Sequence, residues 1–155
     1  MKLGDVLRKE RERRKLDAGK VAADLGLQVT AYEELEGGAS PAEEWGPKLA
    51  QIAIKLSTPT SRLISETGKA EQAQQEEGQC GKLIRKHREH RQLSLEELSA
   101  QLSMPVEEVA SIEQGETPLE TYAPVLLRFS EVIDQPIFNL FFPCGLPLDR
   151  LEDYP

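Results

Sequence analysis

Displacing the chain by 77 residues lays positions 4–68 over 81–145 without a gap, and 19 of the 65 aligned pairs are identical. The identities include Arg8/Arg85, Lys9/Lys86, Arg11/Arg88, Leu25/Leu102, Glu36/Glu113 and Gly38/Gly115. Three proline pairs recur as well, Pro41/Pro118, Pro47/Pro124 and Pro59/Pro136. Proline fixes φ and lacks an N–H, so a proline repeated at a fixed offset records backbone shape. Two copies of one fold follow.

The repeat divides the 155 residues into a first copy at 1–68, a polar linker at 69–78, a second copy at 79–145 and a tail at 146–155. A unit of about 65 residues buries only about 60% of the surface its unfolded chain exposes, so the copies are expected to pack on each other or on a partner. The linker holds no large apolar residue and is rich in Ala, Gln and Glu, which favour helix. Aromatics make up 5% of the chain, and no alternating β-branched runs with hairpin turns are present, so the class is expected to be all-α. No apolar run approaches the roughly 18–20 residues of a membrane span, and the first residues lack the apolar core of a secretory signal. These features predict a soluble, cytoplasmic chain with no membrane partner.

In the first copy, Leu3, Val6 and Leu7 open a helix that runs to about Lys15. Asp17 is placed to cap helix two, as Ser94 is in the second copy, where Glu97 completes a capping box. Helix two carries Val21, Ala22 and Leu25; helix three carries Tyr32 and Leu35 and ends at Gly37-Gly38. A longer fourth helix is expected from near Pro47, with Leu49, Ile52, Ala53 and Leu56, and a short fifth from Pro59, with Leu63 and Ile64. The second copy repeats this pattern through Leu98, Leu102, Val109, Ile112, Leu126, Phe129, Ile133 and Leu140.

Helices two and three have the spacing of a helix-turn-helix, with small Ala22 or Ser99 where two steeply crossing helices leave no room for a larger side chain. Gly26 serves the turn in the first copy and Ser103 replaces it in the second. On these residues both copies resemble the Cro and phage-repressor type of helix-turn-helix family, also called the xenobiotic-response-element family. The resemblance implies two tandem five-helix lambda-repressor-like domains. It also implies an ion pair between helix one and the end of helix three, matched here by Arg11 with Glu36 and Arg88 with Glu113.

The same resemblance implies duplex DNA as the partner, with the start of helix three in the major groove. In the first copy the base-reading residues would be Gln28, Val29, Thr30 and Glu34. Gln28 and Thr30 can hydrogen-bond base edges, Val29 can meet a thymine methyl, and Glu34 can accept from cytosine. Arg8, Lys9, Arg13, Lys15 and Lys20 form a basic flank suited to phosphates, or else a solvated helix face.

The second copy offers Pro105, Val106, Glu107 and Ser111 at the matching positions, with Glu108 beside them. Carboxylates repel phosphate and have no proton to donate to base acceptors. The net charge of -8 is unevenly spread, with 11 basic and 11 acidic residues in 1–68 against 7 and 13 in 79–155. If one copy reads DNA, it is expected to be the first. The alternative is a protein-interaction or dimerisation module that retained the fold and lost DNA binding. Its acidic second copy would dock a protein partner, and the apolar stretch with Phe138 and Phe142 would cover the first copy or make a homodimer contact. The segment 146–151 could enlarge the second core.

No Gly-rich phosphate loop, nucleophile motif or metal-ligand spacing is present, so no enzymatic activity, metal or cofactor is expected. Trp45 and Tyr122 occupy matching positions and are read as packing anchors. Cys80 and Cys144 are read as free thiols, brought near each other if the start of helix one and the end of helix five of a copy adjoin. His87 and His90 share a helix face with Cys80, but the first copy has Glu10, Arg13 and Leu3 there and needs no metal to fold.

Overall fold

A computed structural model describes residues 1–144, which are helical, with no strand among them. The first half holds α1 (Leu3–Arg13), α2 (Ala18–Asp24), α3 (Val29–Glu36) and α4 (Ala42–Leu56), then a 3-10 turn at Thr60–Leu63. The second half holds α5 (Gln79–His90), α6 (Leu95–Leu102), α7 (Val106–Glu113) and α8 (Leu119–Val132), then 3-10 turns at Ile137–Leu140 and Phe142–Cys144. Elements of the two halves match at the 77-residue offset within a residue or two. The tail at 146–155, and with it the core contribution expected from 146–151, lies outside the described residues. Among the described residues no helix is long and apolar enough to cross a membrane.

Local chemistry fixes the helix ends. Asp17 accepts the Lys20 N–H at 3.2 Å. Ser94 and Glu97 form a reciprocal capping box, with bonds of 3.0 and 2.9 Å. The turn after α2 needs a left-handed residue, and Gly26 supplies it at φ +71° while Ser103 is held at φ +56°.

Two expectations need correction. The fourth helices begin at Ala42 and Leu119, with Pro47 and Pro124 inside them. The proline marking the start is the earlier one of each pair, Pro41 or Pro118, which sits at the N-cap in a helical conformation where its missing N–H costs nothing. The expected fifth α-helix is instead a 3-10 turn, four residues long in each half. Pro59 and Pro136 open it, and so short a segment closes i to i+3 bonds without extending further.

The halves share one hydrophobic core. Helix α4 is apolar on two sides: Leu49, Ile52, Ala53 and Leu56 form one buried stripe, and Ala50 and Ile54 widen the buried surface. It packs along α8, where Leu127 stands at the position matching Ala50. Most of the remaining contacts are reciprocal. Helix α4 touches α6 and α2 touches α8; α1 meets the 3-10 turns of the second half, and α5 meets the turn of the first. The halves are therefore related by an approximate two-fold axis, and each ends by covering helix one of the other.

The linker is docked as well. Buried Gln79 donates its amide to the carbonyls of Ile64 at 3.1 Å and Gln72 at 2.8 Å, and accepts the Gln75 N–H at 2.7 Å. A 3-10 turn at Ala70–Gln72 buries Ala70, whose N–H reaches Glu131 at 2.8 Å. The crossing also decides the thiols. Cys144 lies beside Glu43 of the first half and Cys80 beside Glu120 of the second, and both are free. The end of a fifth segment thus adjoins helix one of the opposite half, which places the two cysteines in separate surroundings.

Candidate nucleic-acid interface

Helices α2 and α3 bury Val21, Ala22, Leu25, Tyr32 and Leu35 and turn their other faces to water. Gln28, Val29, Thr30 and Glu34 are all exposed, on one surface over the first turn and a half of α3. Gln28 is the N-cap residue, yet its side chain makes no capping bond, which leaves both ends of the amide available. Val29 is 45% exposed and, with Met1, is one of two large apolar side chains left in water among the described residues.

The basic candidates separate into two groups. Lys15 and Lys20 flank the start of α2, Lys15 at φ +57° in the turn that leaves α1 and Lys20 in the first turn of α2. Lys15 makes no ion pair among the described residues, and Lys20 makes only a loose one with Asp24 at 3.7 Å. Arg8, Lys9 and Arg13 lie on α1, which meets the far end of α3 through Leu35 and Glu36. They therefore flank the end of α3 opposite to Gln28. Arg8 pairs with Asp5 at 3.1 Å and Arg13 with Glu10 at 3.4 Å. Such exposed pairs contribute roughly 1 kcal/mol or less, so a phosphate could displace them.

Behind this surface, Arg11 grips Glu36 with Nε at 2.6 Å and Nη2 at 3.0 Å, and donates Nη1 to the Leu16 carbonyl at 3.0 Å. Arg88 repeats the grip on Glu113 at 2.6 and 2.9 Å and on the Leu93 carbonyl at 2.8 Å. The carboxylate bonds hold both guanidinium groups charged more firmly than usual, against the opposing effect of burial. Tyr32 is fully buried beside the first pair, with its hydroxyl close to Glu36 and Arg11 but without a well-formed hydrogen bond to either. Burial first, then Glu36, push its phenol well above the ordinary range.

The second half differs at the matching surface. Pro105 and Glu107 are exposed, whereas Val106 and Ser111 are half-buried. Glu108 is turned toward the first half, where Lys48 Nζ lies 3.2 Å from its carboxylate, 2.8 Å from Glu44 and 4.4 Å above the Trp45 ring. Burial opposes the Lys48 charge, but the two carboxylates prevail and raise its pKa. Trp45 and Tyr122 are half-buried against the core. Among the described residues no group of three His, Cys, Asp or Glu could hold a metal ion.

Sequence reasoning passed over one identical pair, Glu43 and Glu120. Glu43 accepts the N–H groups of Leu3 and Gly4 at 2.8 and 2.9 Å, and Glu120 those of Cys80 and Gly81 at 3.1 and 2.9 Å. Each carboxylate caps helix one of its own half from the first turn of helix four. For Glu120 burial outweighs these bonds and raises the pKa. Identity at the 77-residue offset was the available signal. No protein-family model matches the chain, and neither a curated protein nor a solved structure is significantly similar to it.

Proposed function

We propose that each half is a repressor-like helix-turn-helix unit and that the chain is a transcriptional regulator reading duplex DNA chiefly through α3. The observation that carries this reading is the exposed start of α3, where Val29 stands in water between the unbonded side chains of Gln28 and Thr30. An apolar side chain between two hydrogen-bonding ones suits a thymine methyl beside polar base edges. Lys15 and Lys20 beside this surface suit the phosphates of the same groove.

Fluorescence anisotropy with duplex DNA of mixed sequence tests the proposal. Affinity should fall steeply between about 50 and 200 mM salt, as release of counterions requires. The double substitution Lys15→Glu with Lys20→Glu should weaken binding at every salt concentration and flatten the slope. Unchanged affinity in that variant would remove α3 of the first half from the reading surface.

A protein-interaction role for the second half has one observation in its favour. The start of α7 presents the Glu107 carboxylate, with Glu108 beside it, where a DNA reader would need donors. Absence of DNA binding at low salt, together with retention of a basic protein partner, would favour that role over the first.

A further inference from the structure

The surface joining the halves is built from unlike pieces. At matching positions the first half carries Thr60, Ser61 and Ser65 and the second Ile137, Phe138 and Phe142. The turns bearing them pack on each other across the approximate two-fold axis. A methyl group on Gly46 would stand 3.0 Å from Phe141 Cε1 and 3.3 Å from Leu126 Cδ1. The equivalent of Gly46 in the second half is Ala123, and the equivalent of Phe141 in the first is the smaller Ile64. Large side chains of the second half thus fill space that small residues of the first leave open.

The charges follow the same rule. Lys48 meets Glu108 across the interface, whereas the symmetry-related positions are Val125 and Ala31. Lys86 pairs with Glu66 at 3.1 Å and Arg91 donates to the Ser57 carbonyl at 2.7 Å, both reaching from α5 into the first half. Their counterparts do otherwise. Lys9 makes no ion pair among the described residues, and Arg14 folds back onto Glu10. Pairing two first halves would set Lys48 against alanine and leave a void over Gly46. Pairing two second halves would press Glu108 onto valine and Phe141 onto the Ala123 methyl.

We infer that the chain is a closed monomer in which the second half is the permanent partner of the first, and that it takes duplex DNA as a single non-palindromic half-site, one chain per site. The DNA clause rests on the DNA-binding proposal above, and the interface clause does not. Among the described residues only the first half keeps cations beside the start of its third helix, Lys15 without an ion pair and Lys20 loosely held by Asp24. The matching surface of the second half carries carboxylates, and two of the basic groups on its helix one are engaged with the first half.

Three measurements on the full chain test this. Sedimentation equilibrium over a wide concentration range should return the 17.3 kDa monomer throughout, and a concentration-dependent dimer would overturn the interface clause. Glu108→Gln and Lys48→Met should each lower the urea midpoint, and the double variant should lose less than the sum of the two; strictly additive losses would also count against it. Selection from a pool of random-sequence duplexes should enrich one contiguous block bound one chain per duplex. Enrichment of an inverted repeat would overturn the half-site. Failure of every duplex to bind at low salt would overturn the DNA-binding proposal and the half-site together, while a monomeric mass and non-additive Lys48 and Glu108 variants would still support the interface.

Discussion

The Arg11 guanidinium is shared between the Glu36 carboxylate and the Leu16 carbonyl, so one side chain ties the end of α1 to both ends of the α2–α3 pair. Both partners are more than four-fifths buried, at 15% and 12% side-chain exposure. Removing one charge from such a pair leaves the other stranded, so Arg11→Ala should cost about 3–5 kcal/mol in urea unfolding. Arg11→Lys keeps the charge and loses the fork, and should cost about 1.5–3 kcal/mol. Arg88→Lys is expected to behave alike, because Glu113 and Leu93 repeat the geometry.

Tyr32→Phe should be neutral or stabilising by up to about 1 kcal/mol, since it deletes a buried hydroxyl that lacks a well-formed hydrogen bond. Val109 occupies the same place in the second half and manages without one. Thermal unfolding of the variant decides the matter. A fall of several degrees would mean that the hydroxyl supports the Arg11–Glu36 pair.

Ser103→Gly should stabilise the chain by about 0.5–1 kcal/mol, because φ +56° places the serine Cβ in a crowded left-handed conformation. Gly26→Ala should do the opposite at the matching turn, where φ is +71°. Comparing the two urea midpoints with that of the parent chain checks both signs.

Acidification should weaken the fold through His87. Burial first, then Lys86 and Arg62, depress its pKa below the ordinary 6.5, with His90 adding to the effect and Glu66 opposing it. The folded state therefore disfavours the imidazolium. Stability is full above pH 6.5 and is lost as pH falls through the depressed value. His87→Gln should flatten this part of the stability profile in urea titrations between neutral and mildly acidic pH. An unchanged profile would show that another group carries the transition.

Much of the fold was legible because the repeat doubled every signal. The capping residues Asp17 and Ser94, the left-handed turn and the buried faces of α2 and α3 all follow from short-range chemistry that a single sequence displays. The inter-half surface did not follow. Ala50 and Leu127 fall beside the stripe that Leu49, Ile52 and Leu56 define, and only a second buried side on helix four accounts for them. Prolines misled for a related reason. Pro47 and Pro124 suggest a helix start, yet a helix anchored by Glu43 or Glu120 in its first turn continues through them. For the candidate site, exposure of Gln28, Val29, Thr30 and Glu34 was readable from helix phase. The separation of Lys15 and Lys20 from Arg8 and Lys9 required knowing which end of α3 receives α1.

Phe141 and Leu3 both lie against Gly46, so the surface beside the first described helix is completed by a ring that the ribosome adds only with the second half. The first half emerges with that surface uncovered and must wait for the second, which makes the folding of both halves a single event. Unfolding should likewise be all-or-none, with no stage at which one half stands while the other has melted. Duplication in this chain has produced one cooperative body from two similar sequences.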